Sequence, residues 1–261
     1  MATSPRVWIK ELRDSHERLA SLAGALTDEQ IRQQSYCDDW TVAQVLSHLG
    51  SGAEISGLRL AEALGRGEPL SRDQMMAIWD RWNAKEPGQQ AEDGLSADAD
   101  YVRALEDLSD GELSAISVSL FGLELDAAGL VRLRLGEHAV HSWDVAVTFD
   151  PAALVGAGAV SLLIDQVPDF IAPRLGKAQS EPFTARITTS EPDRDYLLTV
   201  ADAVTMADWP GDGAVPDVTL AMPAEALLRL AYGRLDAGHT PAGVKAGPAD
   251  LERLRAVFAG F

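Results

Sequence analysis

Along the first half of the chain, apolar residues return at helical rather than strand spacing. Trp8, Leu12, Leu19 and Leu22 recur between polar residues and predict a first helix over about residues 5–25. TDEQ, Thr27–Gln30, matches a capping box and opens a short helical turn. Val42, Val45, Leu46 and Leu49 follow the i, i+3, i+4, i+7 stripe of an amphipathic second helix, with Asp39 or Thr41 as its N-cap. Residues 65–98 are richer in Gly, Pro, Gln and Asp and read as a crossover with some helix in RDQMMAIWDRW; helix resumes over 98–110. A long helix is expected from about Asp126 to Phe149. PAALVGAGAVSLLIDQVPDFIAPRL, small and apolar with Pro151 near its start, reads as a last, well-buried helix of a bundle.

The texture changes after KAQSEP, a linker by composition. FTARITT, DYLLTVADAVTMA and PDVTLAMP alternate or cluster β-formers and predict strands. PAEALLRLAYGRL and PADLERLRAVFAGF predict helices, with Pro223 and Pro248 at first-turn positions. The expected fold class is therefore α plus α+β, with a helical domain over 1–175 followed by a smaller α+β domain over 181–261. No internal repeat is visible.

Composition narrows the function classes. The chain has 261 residues and is 46% hydrophobic, enough for sizeable cores. No apolar run of about 18 residues suggests a membrane span. The charged, helix-patterned start MATSPRVWIKELRDSHERL does not resemble an apolar leader, so a cytoplasmic location is expected. A net charge of −18, from 22 basic against 40 acidic residues, argues against nucleic acid as a partner. The single Cys37 excludes an internal disulfide and a Cys-rich zinc site, so any metal must be held by His and carboxylate.

GEHAVHSWDVA, Gly136–Ala146, concentrates that chemistry. On a helix, Leu130, Arg134, Glu137, His141 and Asp144 fall on one stripe while His138 points elsewhere. Glu137 and His141 can thus bind one ion from consecutive turns, and catalytic zinc often takes three His or carboxylate ligands with a fourth position open. His48, on the flank of the second helix, is the candidate third ligand, because bundles build metal sites from facing helices. His16, His138 and His239 remain as alternatives. The competing reading is a solvated i, i+4 pair worth a few tenths of a kcal/mol beside an ordinary surface histidine.

DDWTVAQVLSHL resembles the Trp-[Ser/Thr]-…-His-Leu signature of the DinB-like four-helix bundles. GEHAVHSWDVA resembles the Glu-x-x-x-His-x-x-Asp helix of their mycothiol-dependent maleylpyruvate isomerase branch, found in actinobacteria. The tail, in VTLAMPAEALLRLAYGRL and AGPADLERLRAVFAGF, is similar to that branch's C-terminal domain. The resemblance implies a divalent metal, Zn2+ by preference though His/Glu/His also suits nickel or iron, held by His48, Glu137 and His141. It implies mycothiol as a cofactor whose sulfur the metal holds as thiolate. Addition of the thiolate to maleylpyruvate, rotation and elimination would give the trans isomer. Cys37 is not needed as nucleophile; it is expected to pack, and Trp40 and Trp143 to pack or line the pocket.

Carboxylate recognition would fall to arginine. Arg134, one turn before Glu137, and Arg234 are the candidates for substrate contact; Arg229, Trp143 and Asp144 are candidates for the thiol-binding surroundings, with Asp144 also placed to orient His141. The chain departs from the branch at Ser142, where members often carry Arg, which leaves the electrophile open. A mycothiol S-transferase that keeps the adduct is the first alternative, and a non-catalytic ligand-binding bundle the second. A DNA-repair role finds no support in the charge. A monomer, with a small-molecule thiol and an electrophile as its only partners, is the expected state.

Overall fold

Side-chain caps set where most of the helices begin. The computed structural model describes residues 3–120, 122–211 and 213–260. Ser4 opens α1 (Pro5–Ala23), and capping boxes open α2 (Asp28–Ile31) at Thr27/Gln30, α3 (Val42–Ala63) at Thr41/Gln44, and α4 (Arg72–Asn83) at Ser71/Gln74. α5 (Pro87–Glu106) starts with proline in its first turn, where the missing N–H costs nothing. It therefore begins well before the expected residue 98, and the predicted crossover shrinks to short connections around α4. Ser109/Glu112 caps α6 (Asp110–Ala115), and an antiparallel hairpin of β1 (Val118–Leu120) and β2 (Leu123–Leu125) follows, which the apolar periodicity did not disclose. α7 (Ala127–Phe149) runs over the span expected of the motif helix, with the Asp126 carboxylate accepting from the Gly129 N–H at 2.7 Å. Each such cap is worth about 1 kcal/mol.

By packing, the chain divides into a unit Met1–Ala153 and a unit Leu154–Phe261. In the first, α1, α3, α5 and α7 form a four-helix bundle whose neighbours run in the ring α1–α5–α3–α7. Its core holds Leu12, Val45, Leu46, Leu49, Leu105, Val131, Leu135 and Val145. α3 and α5 approach at backbone distance: a Cβ on Gly50 would lie 2.6 Å from Gly94 Cα, and one on Gly94 would lie 2.5 Å from Leu46 O. The glycines are there for closeness, not for unusual dihedrals.

The second unit begins earlier than the 175/181 boundary expected from composition. The apolar stretch read as a last bundle helix is instead α8 (Ala157–Leu163), a 3₁₀ turn (Ile164–Gln166), a π turn (Val167–Ile171) and α9 (Ala172–Leu175). Pro168 and Pro173 lack the N–H donors that a continuous helix would use, and α8 packs on a later helix of its own unit. β3 (Phe183–Ser190), β4 (Arg194–Val200), β5 (Val204–Asp208) and β6 (Val218–Pro223) form a sheet in the order β5-β4-β3-β6. β3 is antiparallel to β4 and parallel to β6, and its residues alternate buried and half-buried, as FTARITT suggested. α10 (Ala224–Ala231), against which α8 packs, and α11 (Pro248–Val257) complete the unit. The α plus α+β class expected from the pattern is the observed one. No helix among the described residues is long and apolar enough to cross a membrane.

Candidate metal centre

The Thr41/Gln44 box fixes the start of α3 and so the position of His48 two turns later. The loop before it is closed on itself: the Ser35 N–H and Oγ–H both donate to Trp40 O, at 3.0 and 2.7 Å, and Gln34 Nε2 donates to Cys37 O at 2.6 Å. That closure places the Trp40 ring against two imidazoles, with centroids 4.9 Å from His48 and 5.9 Å from His141. From α7, Glu137 and His141 reach the same spot. His48 Nε2 lies 3.4 Å and His141 Nε2 3.8 Å from Glu137 Oε2, the two imidazole rings meet edge-on at 4.7 Å, and one ligand atom from each residue lies within 4.8 Å of the others.

Those spacings suit a shared cation. Donors about 2.1 Å from a tetrahedral ion stand about 3.4 Å apart, longer than a good N–H···O contact. Behind the cluster, the Asp144 carboxylate, with no exposed surface, lies 2.9 Å from His141 Nδ1 and accepts the Cys37 S–H at 3.0 Å. A proton held on Nδ1 leaves the His141 Nε2 lone pair facing Glu137 and His48, the arrangement a metal ligand needs. Donor chemistry, spacing and orientation therefore fit a divalent metal.

The electrostatics favour the deprotonated ligands. Burial pushes the Glu137 carboxyl up, but its hydrogen bond to His48 and the nearby His141, His48 and Arg134 charges outweigh it and hold it at about 2. Burial pulls His48 below its ordinary value of 6.5, against the opposing pull of the Glu137 bond. His48 therefore stays neutral and available through neutral pH. Acid should weaken binding of a divalent metal by protonating His48, not Glu137. Divalent-metal affinity is expected to be level above pH 7 and to fall only once the pH is below 6.5; a titration of affinity against pH that begins to fall in the alkaline range contradicts this.

The other candidates from the sequence are placed differently. Asp144 is buried behind His141, where it is placed to orient the imidazole. Trp143 is buried, its Nε1–H donating to Ala153 O at 2.9 Å and its ring edge-on to Tyr36, and it packs in the unit's interior. Arg134, expected to contact substrate, is placed inside the bundle. Its side chain is 5% exposed, and its Nη2 donates to Asp98 Oδ1 at 2.6 Å and to Leu49 O at 2.8 Å. Arg229, in the second unit, is buried and donates to the Glu225 carboxylate at 2.7 and 3.1 Å and to His239 O at 2.8 Å. Arg234, also in that unit, is half-buried and donates to Tyr232 O at 2.8 Å.

Two contributors escaped the sequence reading. Cys37 does more than pack, since its thiol shares Asp144 with His141. Asp98 gathers His16, His138 and Arg134, which explains the second histidine of the motif. A signal for Asp98 existed: it falls on the buried stripe Gln90, Gly94, Tyr101 and Leu105 of α5, where a carboxylate must have partners. His239 pairs with Asp236 in the second unit.

The chain matches the model of the mycothiol maleylpyruvate isomerase N-terminal domain over residues 12–146 and that of the MDMPI C-terminal domain over residues 163–253. No curated protein sequence matches it. Among solved structures, the crystal structure of the mycothiol-dependent maleylpyruvate isomerase superposes with a TM-score of 0.68, covering 94% of this chain and 93% of that one at 13% identity. A histidine-to-alanine mutant of that isomerase matches with the same figures. At such identity the superposition speaks for the fold, and the domain matches speak for descent. The N-terminal match spans more than half of the 261 residues and includes His48, Glu137 and His141, so this chain is an enzyme of the mycothiol maleylpyruvate isomerase family.

Proposed function

We propose that this protein is a metal-dependent enzyme that uses mycothiol to isomerise maleylpyruvate to its trans isomer by addition, rotation and elimination. The reading is carried by one observation: two imidazole nitrogens and a carboxylate, with His48 and Glu137 89 residues apart in sequence, converge with spacings that suit one divalent ion. His48, Glu137 and His141 are the proposed ligands, and Zn2+ the proposed ion. When bound, such an ion supplies the Lewis acidity that keeps a small-molecule thiol, with a free pKa of about 8.5, as its thiolate near neutral pH.

The chain's own residues do the rest. Glu137 contributes the negative charge, and because it stays ionised down to about 2 it never competes for protons in the working range. Asp144 holds the His141 ring in the tautomer that presents Nε2, and the Cys37 thiol occupies part of the same carboxylate. Trp40 lies against both imidazoles on one side. A cytoplasmic location in an actinobacterial cell belongs to the same reading.

The test is an assay of the zinc-loaded protein with maleylpyruvate and substoichiometric mycothiol. The trans isomer should form in many-fold excess over the thiol present, and chelation should stop it. A stable thiol adduct as the end product, with no isomer, would replace this reading by a mycothiol S-transferase. A protein that holds no metal and ignores its addition would remove the metal from this reading.

A further inference from the structure

Arg134 joins the two helices that supply the ligand set. One guanidinium nitrogen, Nη2, donates both to Leu49 O on α3, the carbonyl next to His48, and to Asp98 Oδ1 on α5. Arg134 itself stands one turn before Glu137 on α7. The second Asp98 oxygen lies 2.8 Å from His138 Nε2 and 2.8 Å from His16 Nδ1, and His138 Nδ1 lies 2.9 Å from Ser15 Oγ. One carboxylate thus gathers α1, α5 and α7, and through Arg134 also α3. α5 and α7 are not neighbours in the ring, so the connection runs through the middle of the bundle. Gly52 keeps the space open: a Cβ there would come within 2.9 Å of Arg134 Nη1.

Apolar packing alone sets helix register loosely, because a core tolerates rearrangement of apolar groups of similar volume. A helix advances 1.5 Å per residue, whereas metal–ligand distances tolerate about 0.2 Å. A small slide of α7 along α3 would separate Glu137 and His141 from His48. Buried ionic groups are costly, and their best-attested use is to specify one arrangement among several.

We propose that Asp98 and Arg134 are positioning residues that hold α3 and α7 in the axial setting at which His48 meets Glu137 and His141. This rests on the metal reading above and extends it to residues that touch no ligand. It also accounts for a buried cation close to a cation site: Asp98 neutralises Arg134.

The experiment is a Co2+ titration of the full-length, metal-free protein, followed by d–d absorption, at a temperature where circular dichroism shows each variant folded. Asp98→Asn and Arg134→Met should bind about tenfold more weakly or worse, by comparison with other outer-shell substitutions. Arg134→Lys, whose one ammonium nitrogen can donate to both acceptors, should recover much of the affinity. Leu105→Ala, which damages the core of α5 without touching the link, should bind as the wild type does. Affinities for Asp98→Asn and Arg134→Met within twofold of wild type overturn the proposal, as does an equal loss in Leu105→Ala. Should Asp98→Asn fail to fold, the Arg134→Met and Arg134→Lys pair carries the comparison. A wild type that takes up no Co2+ overturns the metal reading itself, a result distinguishable from failure of the variants alone.

Discussion

His48→Ala is expected to lose stoichiometric divalent metal and, with it, thiol-dependent turnover, while remaining folded. His48 is the one member of the proposed ligand set contributed by α3. Without it, Glu137 and His141 remain as an i, i+4 pair on a single helix, whose mutual interaction is worth only a few tenths of a kcal/mol. Removal of a direct ligand should cost more affinity than the 10- to 100-fold typical of outer-shell changes, so a loss beyond about 100-fold is expected. Its side chain is 35% exposed and lies outside the bundle's apolar core, so stability should change by no more than about 0.5 kcal/mol in the metal-free state. Metal content after dialysis, read beside a urea unfolding curve, separates the two effects. Full metal occupancy and unchanged turnover in His48→Ala would remove the centre from the mechanism.

The largest stability effect is expected at Gly94. In Gly94→Ala the new methyl carbon would sit 2.5 Å from Leu46 O and 3.0 Å from the Leu46 carbonyl carbon, both backbone atoms of α3 that no rotamer change can move. The helices must part, and the close approach of Gly50 to Gly94 opens with them. Overpacking of this kind costs about 3 kcal/mol. Because α3 carries His48, metal affinity should weaken in the same variant. Gly88→Ala, on the same helix with nothing within 4 Å of the added carbon, should instead be neutral or stabilising by up to about 1 kcal/mol. Unfolding midpoints of the two variants against the wild type check the contrast; equal midpoints would mean that α3 and α5 are not held at backbone distance.

Much of the bundle was legible because its signals are local. Caps and apolar periodicity act over three to seven residues, which is why α1, α3 and α7 fall within a few residues of expectation. Where prolines interrupted an apolar run, as at Pro168 and Pro173, composition alone suggested a single helix and a later domain boundary. The β1–β2 hairpin is too short to leave a period.

The ligand set divides along the same line. That Glu137, His141 and Asp144 share a face with Arg134 follows from 3.6 residues per turn, and nothing beyond the sequence was needed to see it. That His48 approaches that face, that Arg134 is consumed by an aspartate 36 residues away, that Arg229 is locked to Glu225, and that Cys37 reaches across 107 residues to Asp144 could be read only once the helices had packed. A side chain's spacing along a helix is set by its own backbone, whereas its partner, its burial and therefore its charge state are set by whichever distant segment the core brings against it.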